Sequence, residues 1–516
     1  MGFPPFPADR TIDRGRWLRD NVPAEISMPS RLKILLIASE VEPFAKTGGL
    51  ADVAGALPRA LSALGHDVRV MLPRYRGVAE SAGELQAAVP RFTVPMGDRV
   101  VEGSLLEGRL TPKIPAYFLK HDPYYDRPAL YGTPEGDFWD NCERFIFLSR
   151  GALEALKALG WRPDVIHAND WQTGLLPVYL ETLYRDDPFF AGVATLFTIH
   201  NMAYQGLFWH YDLPMTGLGW DLFTPAGIEF YGKINFLKGG LVFSDLLTTV
   251  SPTYAKEIQT PEFGHALDGV LQERSQDLSG VVNGIDTESW DPATDADLPK
   301  RFTARDLTGK AVCKAALQGE VGLPADASIP LFGMVTRLAD QKGLDLLVQI
   351  LPALLAEGQL IILGSGDERY QQLLEEAARV HTGRLALRLG YDARLARRIY
   401  GGIDLFLMPS RYEPCGLGQL IALRYGTLPV AHRTGGLADT IKPVVPATRK
   451  GTGFLFTPYD AGAFLGATRL ALEAYRDAAL WRTIQQNGMA EDFSWEASAR
   501  QYVELYRRAI KKGAAS

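Results

Sequence analysis

The sequence predicts an α/β protein built from two Rossmann-like halves that face each other across a deep cleft. Three observations carry that expectation. Short apolar runs alternate with helical periodicity along the chain, the runs end in polar or glycine-rich residues, and the series restarts near residue 285. With 516 residues, 47% of them hydrophobic and 22% charged, the chain has apolar material for at least two domains.

The first half opens at Leu32. "LKILLIAS" is short and apolar enough for a strand buried on both faces. A loop with two glycines follows, then an apolar-periodic helix ending at "LGHD", then a second strand in "HDVRVMLPRY". This is a βαβ opening in which Pro58 lies inside the helix and should bend it or shift its start. Further strands are expected in "DVIHAND" (164 to 170), "ATLFTIHN" (194 to 201) and "DLLTTVS" (245 to 251), with a helix from about Gln172. In open parallel sheets ligands collect beyond the carboxyl ends of strands, so Asn169, Asp170, His200, Asn201 and Ser251 are expected to point toward one crevice.

After "GVVNGIDTESWDP" and a polar, Asp-rich stretch, a second βα series is expected. Its strands are "IPLFGMVTRL" (329 to 338), "QLIILGSGD" (359 to 367), "LALRLGY", "IDLFLMPS" (403 to 410) and "TLPVAHR", with helices between them. The segment "WEASARQYVELYRRAIKK" reads as an amphipathic helix that packs back across the first half. The expected divisions are an N-terminal extension over 1–30, a first domain over 31–284, a second over 285–485 and a returning segment over 486–516.

A formal net charge of −6 argues against a general nucleic-acid binder, so any phosphate site must be local. Cys142, Cys313 and Cys415 are widely spaced and form no CxxC pair, which suggests neither a disulfide framework nor a zinc site and fits a reducing cytoplasm. No apolar run is long enough to span a bilayer, and "MGFPPFPADRTIDRGRWLRD" mixes Pro, Asp and Arg where a signal peptide needs an apolar stretch.

In "AKTGGLADV", Lys46 precedes Gly48 and Gly49 at the mouth of a helix, where unpaired amides, bare backbone and an ammonium meet. The plain alternative is a glycine turn with a solvated lysine. In "TRLADQKGLDLL", Arg337 and Lys342 sit on the loop after a strand, where two cations could clamp a diphosphate whose charge grows as a glycosidic bond breaks; the plain alternative is a pair of solvated surface charges. In "PSRYEPCGLGQLIALRYG", Glu413 and the backbone of Cys415, Gly416 and Leu417 open another helix, with packing the expected role of the Cys415 thiol. "HRTGGLADT" repeats the GGLAD string, and two such turns facing each other across the cleft would make a phosphate and sugar site.

The ordered set "KTGGLADV", "HANDWQTGL", "FTIHNMAYQG", "VVNGID", "RLADQKG", "PSRYEPCGLGQL" and "RTGGLADT" resembles the bacterial glycogen synthase and plant starch synthase family over about residues 32 to 510. The resemblance implies a GT-B glycosyltransferase that moves glucose from ADP-glucose to the non-reducing end of an α-1,4-glucan with retention, without a metal or resident cofactor. It places the acceptor glucan on the first domain and the sugar nucleotide on the second.

By position, Lys46, Gly48 and Gly49 match the family's sugar-nucleotide turn, Arg337 and Lys342 the pair that neutralises the departing diphosphate, and Glu413 the carboxylate near the donor glucose. The amides after Cys415 would hold the same end of the donor. Asn283 and Asp140 are expected in the cleft, with His200, Asn201 and Tyr204 on the acceptor side, a buried structural histidine being the alternative for His200. Two departures stand out. Asn169 occupies a place often filled by a histidine that contacts the donor glucose, and Gly418 one often filled by threonine. The alternatives are a glucan phosphorylase carrying pyridoxal phosphate, a catalytically weak glucan-binding or regulatory homologue, and a UDP-glucose-dependent synthase. Against the last, Ile421 stands where such enzymes commonly carry a ribose-binding glutamate.

Overall fold

The computed structural model describes residues 30–514, so the extension expected over 1–30 lies, apart from its last residue, outside the described residues. The first half is built on a nine-stranded sheet. Its strands are β1 (Lys33–Ile37), β2 (Asp67–Pro73), β3 (Gln86–Met96), β4 (Arg99–Thr111), β5 (Ile114–Lys120), β6 (Val165–Asn169), β7 (Ala194–Ile199), β8 (Leu246–Thr249) and β9 (Leu278–Gly280). They lie in the order β9-β8-β7-β6-β1-β2-β5-β4-β3, parallel throughout except where β4 pairs with β5 and β3. The second half has a six-stranded, wholly parallel sheet of β10 (Leu331–Val335), β11 (Gln359–Gly364), β12 (Leu385–Leu389), β13 (Leu405–Met408), β14 (Leu428–His432) and β15 (Phe454–Phe456). Its order is β12-β11-β10-β13-β14-β15.

The continuous apolar runs become strands because both faces of each sheet are covered. In β11, Leu360 and Ile362 enter the core on one face, while Ile361 and Leu363 enter the core on the other. The helices that matter below are α1 (Gly49–Ala63), α2 (Asn141–Leu159), α3 (Pro252–Glu257), α4 (Thr308–Val321), α5 (Gly418–Arg424), α6 (Gly435–Thr440) and α7 (Trp495–Gly513). Pro58 does not shift the start of α1, which begins at Gly49, runs through the proline and buries Leu50, Val53, Ala54, Leu57 and Leu61. At the expected Gln172 helix, a 3-10 turn over Trp171–Thr173 precedes a helix over Leu175–Glu181. The β3-β4-β5 meander, α2 and α4 were not foreseen.

In α7, Trp495, Ala499, Tyr502, Val503, Tyr506 and Ala509 share one face and join the core of the first half. Tyr506 bonds its hydroxyl to His167 Nδ1 at 2.9 Å, and His167 Nε2 reaches Thr198 Oγ1 at 2.6 Å. The chain passes between the halves twice, side by side: Ile285 N donates to Phe493 O at 2.8 Å. A Cβ on Gly284 would stand 2.6 Å from Trp495 N, so only glycine lets the two crossings touch. Among the described residues no helix is long and apolar enough to cross a membrane.

Candidate active site

A cavity of about 600 Å³ lies between the two halves, at the carboxyl ends of their strands. The first half lines it with Glu40 after β1, Gly48 and Gly49 at the start of α1, Asp170 after β6, His200, Asn201 and Tyr204 after β7, and Asn283 after β9. The second half supplies Arg337, Gln341 and Lys342 after β10, and Glu413, Cys415, Gly416 and Leu417 after β13.

Lys342 Nζ donates to Glu413 Oε2 at 2.7 Å, and Ser410 Oγ donates to the same oxygen at 3.0 Å. Both members of the ion pair are largely buried, with side chains 17% and 7% exposed. Breaking such a pair from one side costs roughly 3–5 kcal/mol, so the lysine is held by the glutamate rather than left to sample solvent. Arg337 stands on the same wall and donates to Gln341 Oε1 at 3.4 Å.

The twin-glycine turn behaves in part as expected. A Cβ on Gly48 or Gly49 meets no atom within 4 Å, so the cavity reaches the main chain there. The Gly48 amide, however, already has an anion. Glu40 Oε2 accepts from Thr47 N at 2.5 Å and Gly48 N at 3.1 Å, while its Oε1 accepts from Thr47 Oγ1 and Tyr131 OH, each at 2.6 Å. Sequence reasoning missed Glu40, although it follows β1 directly in "ASE", at the strand end where polar residues matter. Lys46 is not in the cavity wall. Its ammonium turns to Asp52 Oδ1 at 2.6 Å and Glu42 Oε2 at 3.5 Å.

Asn169 also departs from expectation, being fully buried behind the cavity instead of lining it. Its Nδ2 donates to the carbonyls of Ile37 and His167, both at 3.1 Å. Its Oδ1 therefore accepts from His200 Nε2–H at 2.9 Å, which leaves His200 Nδ1 unprotonated. Burial pushes the His200 pKa down to about 3, so the ring stays neutral. The neighbouring Asp170 does line the cavity. It sits at φ 55°, an uncommon region for a side-chain-bearing residue, and accepts from His200 N at 2.7 Å. Burial pushes its carboxyl up to about 7, with Glu40 adding to the rise and backbone amides opposing it.

Other expectations fall away for equally local reasons. Asp140 is buried against Arg127, at 2.7 and 2.5 Å, and its neighbour Asn141 lines the cavity in its place. Ser251 turns inward to cap α3, accepting from Tyr254 N at 3.0 Å, while Val250 faces the cavity. The second GGLAD turn does not face the first. Gly435 N donates to both carboxylate oxygens of Glu257 at 3.0 and 3.1 Å, and Thr253, through N and Oγ1, donates to Asp439. That turn joins the halves, and its glycines brace the Glu413 loop: a Cβ on Gly436 would stand 2.1 Å from Cys415 O.

Burial pushes the Cys415 thiol up to about 12, against a hydrogen bond from the Asn283 backbone, so it is no nucleophile. Asn283 Oδ1 is buried with no hydrogen-bond partner among the described residues. Gly418 faces Phe406, whose ring would meet a Cβ at 2.8 Å, and Ile421 lies in the core, so neither position touches the cavity.

A family model described as the starch synthase catalytic domain matches residues 33–273, and one described as glycosyl transferases group 1 matches residues 329–474. The chain is 51% identical over 481 residues to a glycogen synthase of Syntrophotalea carbinolica, spanning 93% of this chain and 99% of that protein. It is also 51% identical over 481 residues to a glycogen synthase of Anaeromyxobacter dehalogenans, spanning 92% and 99%. Among solved structures it resembles the catalytic domain of starch synthase IV from Arabidopsis thaliana bound to ADP and acarbose, with a TM-score of 0.84, 36% identity, and coverage of 93% of this chain and 100% of that one. A sucrose-phosphate synthase from Thermosynechococcus elongatus, at 21% identity over 94% and 100% of the chains and a TM-score of 0.57, shares the fold alone.

Proposed function

This chain belongs to the family of bacterial glycogen synthases and plant starch synthases and is a GT-B glycosyltransferase, and on that footing we propose that it transfers glucose from ADP-glucose to the non-reducing end of an α-1,4-glucan with retention. The observation that carries the reading is the buried Lys342–Glu413 pair, with Arg337 beside it, sharing one cavity with the bare backbone of Gly48 and Gly49.

As the glucose C1–O bond breaks, its electron pair passes to the departing diphosphate, and Arg337 and Lys342 take up the growing charge. A diphosphate oxygen removes the proton of the acceptor hydroxyl, and the new bond forms on the face the leaving group vacates. A double displacement needs a free carboxylate nucleophile. Glu413 is instead engaged by Lys342 and Ser410, and its role is to hold the lysine in place. His200 Nδ1 and the unpartnered Asn283 Oδ1 are acceptors for sugar hydroxyls. Asn201 and Tyr204 line the acceptor side, and the backbone of Cys415, Gly416 and Leu417 the donor side. Lys46 joins the diphosphate by exchanging Asp52 for it as the halves close and exclude water.

No metal or resident cofactor has a part in this scheme, because side-chain cations neutralise the leaving group. We place the reaction in the cytoplasm, where the three free, buried cysteines suit a reducing medium. The test is transfer of label from ADP-glucose and UDP-glucose to glycogen in the presence of a chelator. Transfer from ADP-glucose is expected to persist and to exceed that from UDP-glucose. Loss of activity in chelator overturns the cation account, and preference for UDP-glucose overturns the donor.

A further inference from the structure

The Glu413–Lys342 pair belongs to the second half and the loop carrying His200, Asn201 and Tyr204 to the first, so transfer requires the two to be held in register across the cavity. Resting on the function proposed above, we propose that Glu257 and Asp439, neither of which lines the cavity, are positioning residues that set this register from behind it.

Helix α3 touches both sides of the reaction. It is fixed in the first half by the Ser251 cap and by Tyr254, whose hydroxyl accepts from Met202 N at 3.1 Å, in the loop of His200, Asn201 and Tyr204. At its other end Glu257 crosses to the second half. Both carboxylate oxygens accept from Gly435 N, at 3.0 and 3.1 Å, and Oε1 also accepts from Thr434 Oγ1 at 3.0 Å. The next amide, Gly436 N, donates to Glu413 O at 3.1 Å and to Pro414 O at 3.2 Å. A single peptide unit therefore separates the amide that Glu257 holds from the amide that holds Glu413. Asp439 returns the contact from α6, accepting from Thr253 N at 2.8 Å and Thr253 Oγ1 at 2.6 Å.

The turn between these carboxylates has no room to slide. Gly435 sits at φ 42°, and a Cβ there would stand 2.0 Å from Glu413 O. The contact also lies beside the covalent crossing of the halves. The backbone of Asn283 bonds to Cys415, which belongs to the core of the first half although it follows Glu413 on the second-half loop, and Ile285 bonds to Phe493. A rotation displaces least what lies nearest its axis, so the Glu413 loop keeps its place against α3 as the halves close. Without the two carboxylates the loop is free to shift, and a shift of about 1 Å costs about 100-fold in rate.

The experiment measures initial rates of glucose transfer from ADP-glucose to glycogen by the full chain, with near-ultraviolet circular dichroism as the folding control. In Glu257→Ala, kcat should fall about 10- to 100-fold while the KM for each substrate moves less than about threefold. Glu257→Gln keeps an oxygen able to accept from both Gly435 N and Thr434 Oγ1, and should restore kcat to within about threefold of the parent. A double-mutant cycle separates positioning from general loosening. If Glu257 acts through Glu413, the kcat of Glu257→Ala/Glu413→Gln should lie within about threefold of that of Glu413→Gln alone. Losses that multiply overturn the proposal, as does an unchanged kcat in Glu257→Ala, and either result in an active parent leaves the proposed function standing. A parent that transfers no glucose from ADP-glucose overturns both. Should Glu257→Ala lose its near-ultraviolet spectrum, Asp439→Asn decides: a folded variant with kcat lowered several-fold supports the register, and one with parental kcat overturns it.

Discussion

At Glu413, one carboxylate holds one ammonium inside the cavity, so its loss should be read in turnover. Glu413→Gln keeps the shape but not the charge that fixes Lys342, and kcat for transfer from ADP-glucose should fall about 100- to 1000-fold, the range for losing one preorganised electrostatic contact. A fall of less than tenfold in initial-rate assays refutes that role. Asp170 makes a prediction about pH. Its folded pKa, near 7, lies above the ordinary 3.8, so between those values the folded protein keeps a proton that the unfolded chain has lost. The stability it contributes is complete below about pH 4 and disappears as pH rises through 7. The Tm of the parent minus that of Asp170→Asn should therefore fall by about 1–4 °C between pH 5 and pH 8. A flat difference in thermal melts contradicts it. At this scale the cavity positions of Arg337, Lys342 and Glu413 were legible, because they sit on loops that follow apolar strands, whereas that of Lys46 was not: its ammonium turns to Asp52 and Glu42. Asn169 was not: what turns it inward is Ile37, 132 residues away, together with His200.

Two helices open on the same GGLAD string, α1 at its second glycine and α6 at its first, and their surroundings give the string opposite meanings. At α1 the glycines open onto the cavity, while at α6 they press against the backbone of the Glu413 loop. Gly49→Ala should leave Tm within about 2 °C, since alanine suits a helix start, and should raise the KM for ADP-glucose about tenfold or more by filling the donor's approach. Gly436→Ala should lower Tm by about 2–6 °C, because its Cβ would stand 2.1 Å from a carbonyl that has to move. Differential scanning calorimetry with donor kinetics on both variants checks the pair, and similar behaviour of the two refutes the contrast. No period in the sequence separates these turns. The same limit hid α4, whose buried face includes Lys310, Lys314 and Gln318. Lys310 Nζ reaches the carbonyls of Gly401 and Tyr425 and Thr427 Oγ1, so polar side chains do the packing there, and hydrophobic periodicity is silent. Strands buried on both faces were readable because nothing polar intervenes.

The molecule as a whole is tied by contacts between residues far apart in sequence: Glu257 on the start of α6, Ile285 against Phe493, and α7 against the first sheet. Two halves and a returning helix were legible from the restart near residue 285 and from the stripe along α7. The Glu257 latch was not, since it is set by how the halves meet. Burial of Trp495, Tyr502, Val503 and Tyr506 contributes roughly 6–12 kcal/mol at 1.5–3 kcal/mol for each large side chain, comparable to a whole domain's net stability. Deleting residues from Trp495 onward should therefore unfold the first half, seen as loss of soluble yield and of near-ultraviolet circular dichroism, whereas a well-folded product refutes that dependence. The return of α7 also sets an order of events at synthesis. Domains ordinarily mature as they emerge from the ribosome, first-made first. Here the first lobe waits for a helix made after the whole second sheet, so its surface stays unfinished, and open to chaperones, until residue 509 has cleared the exit tunnel.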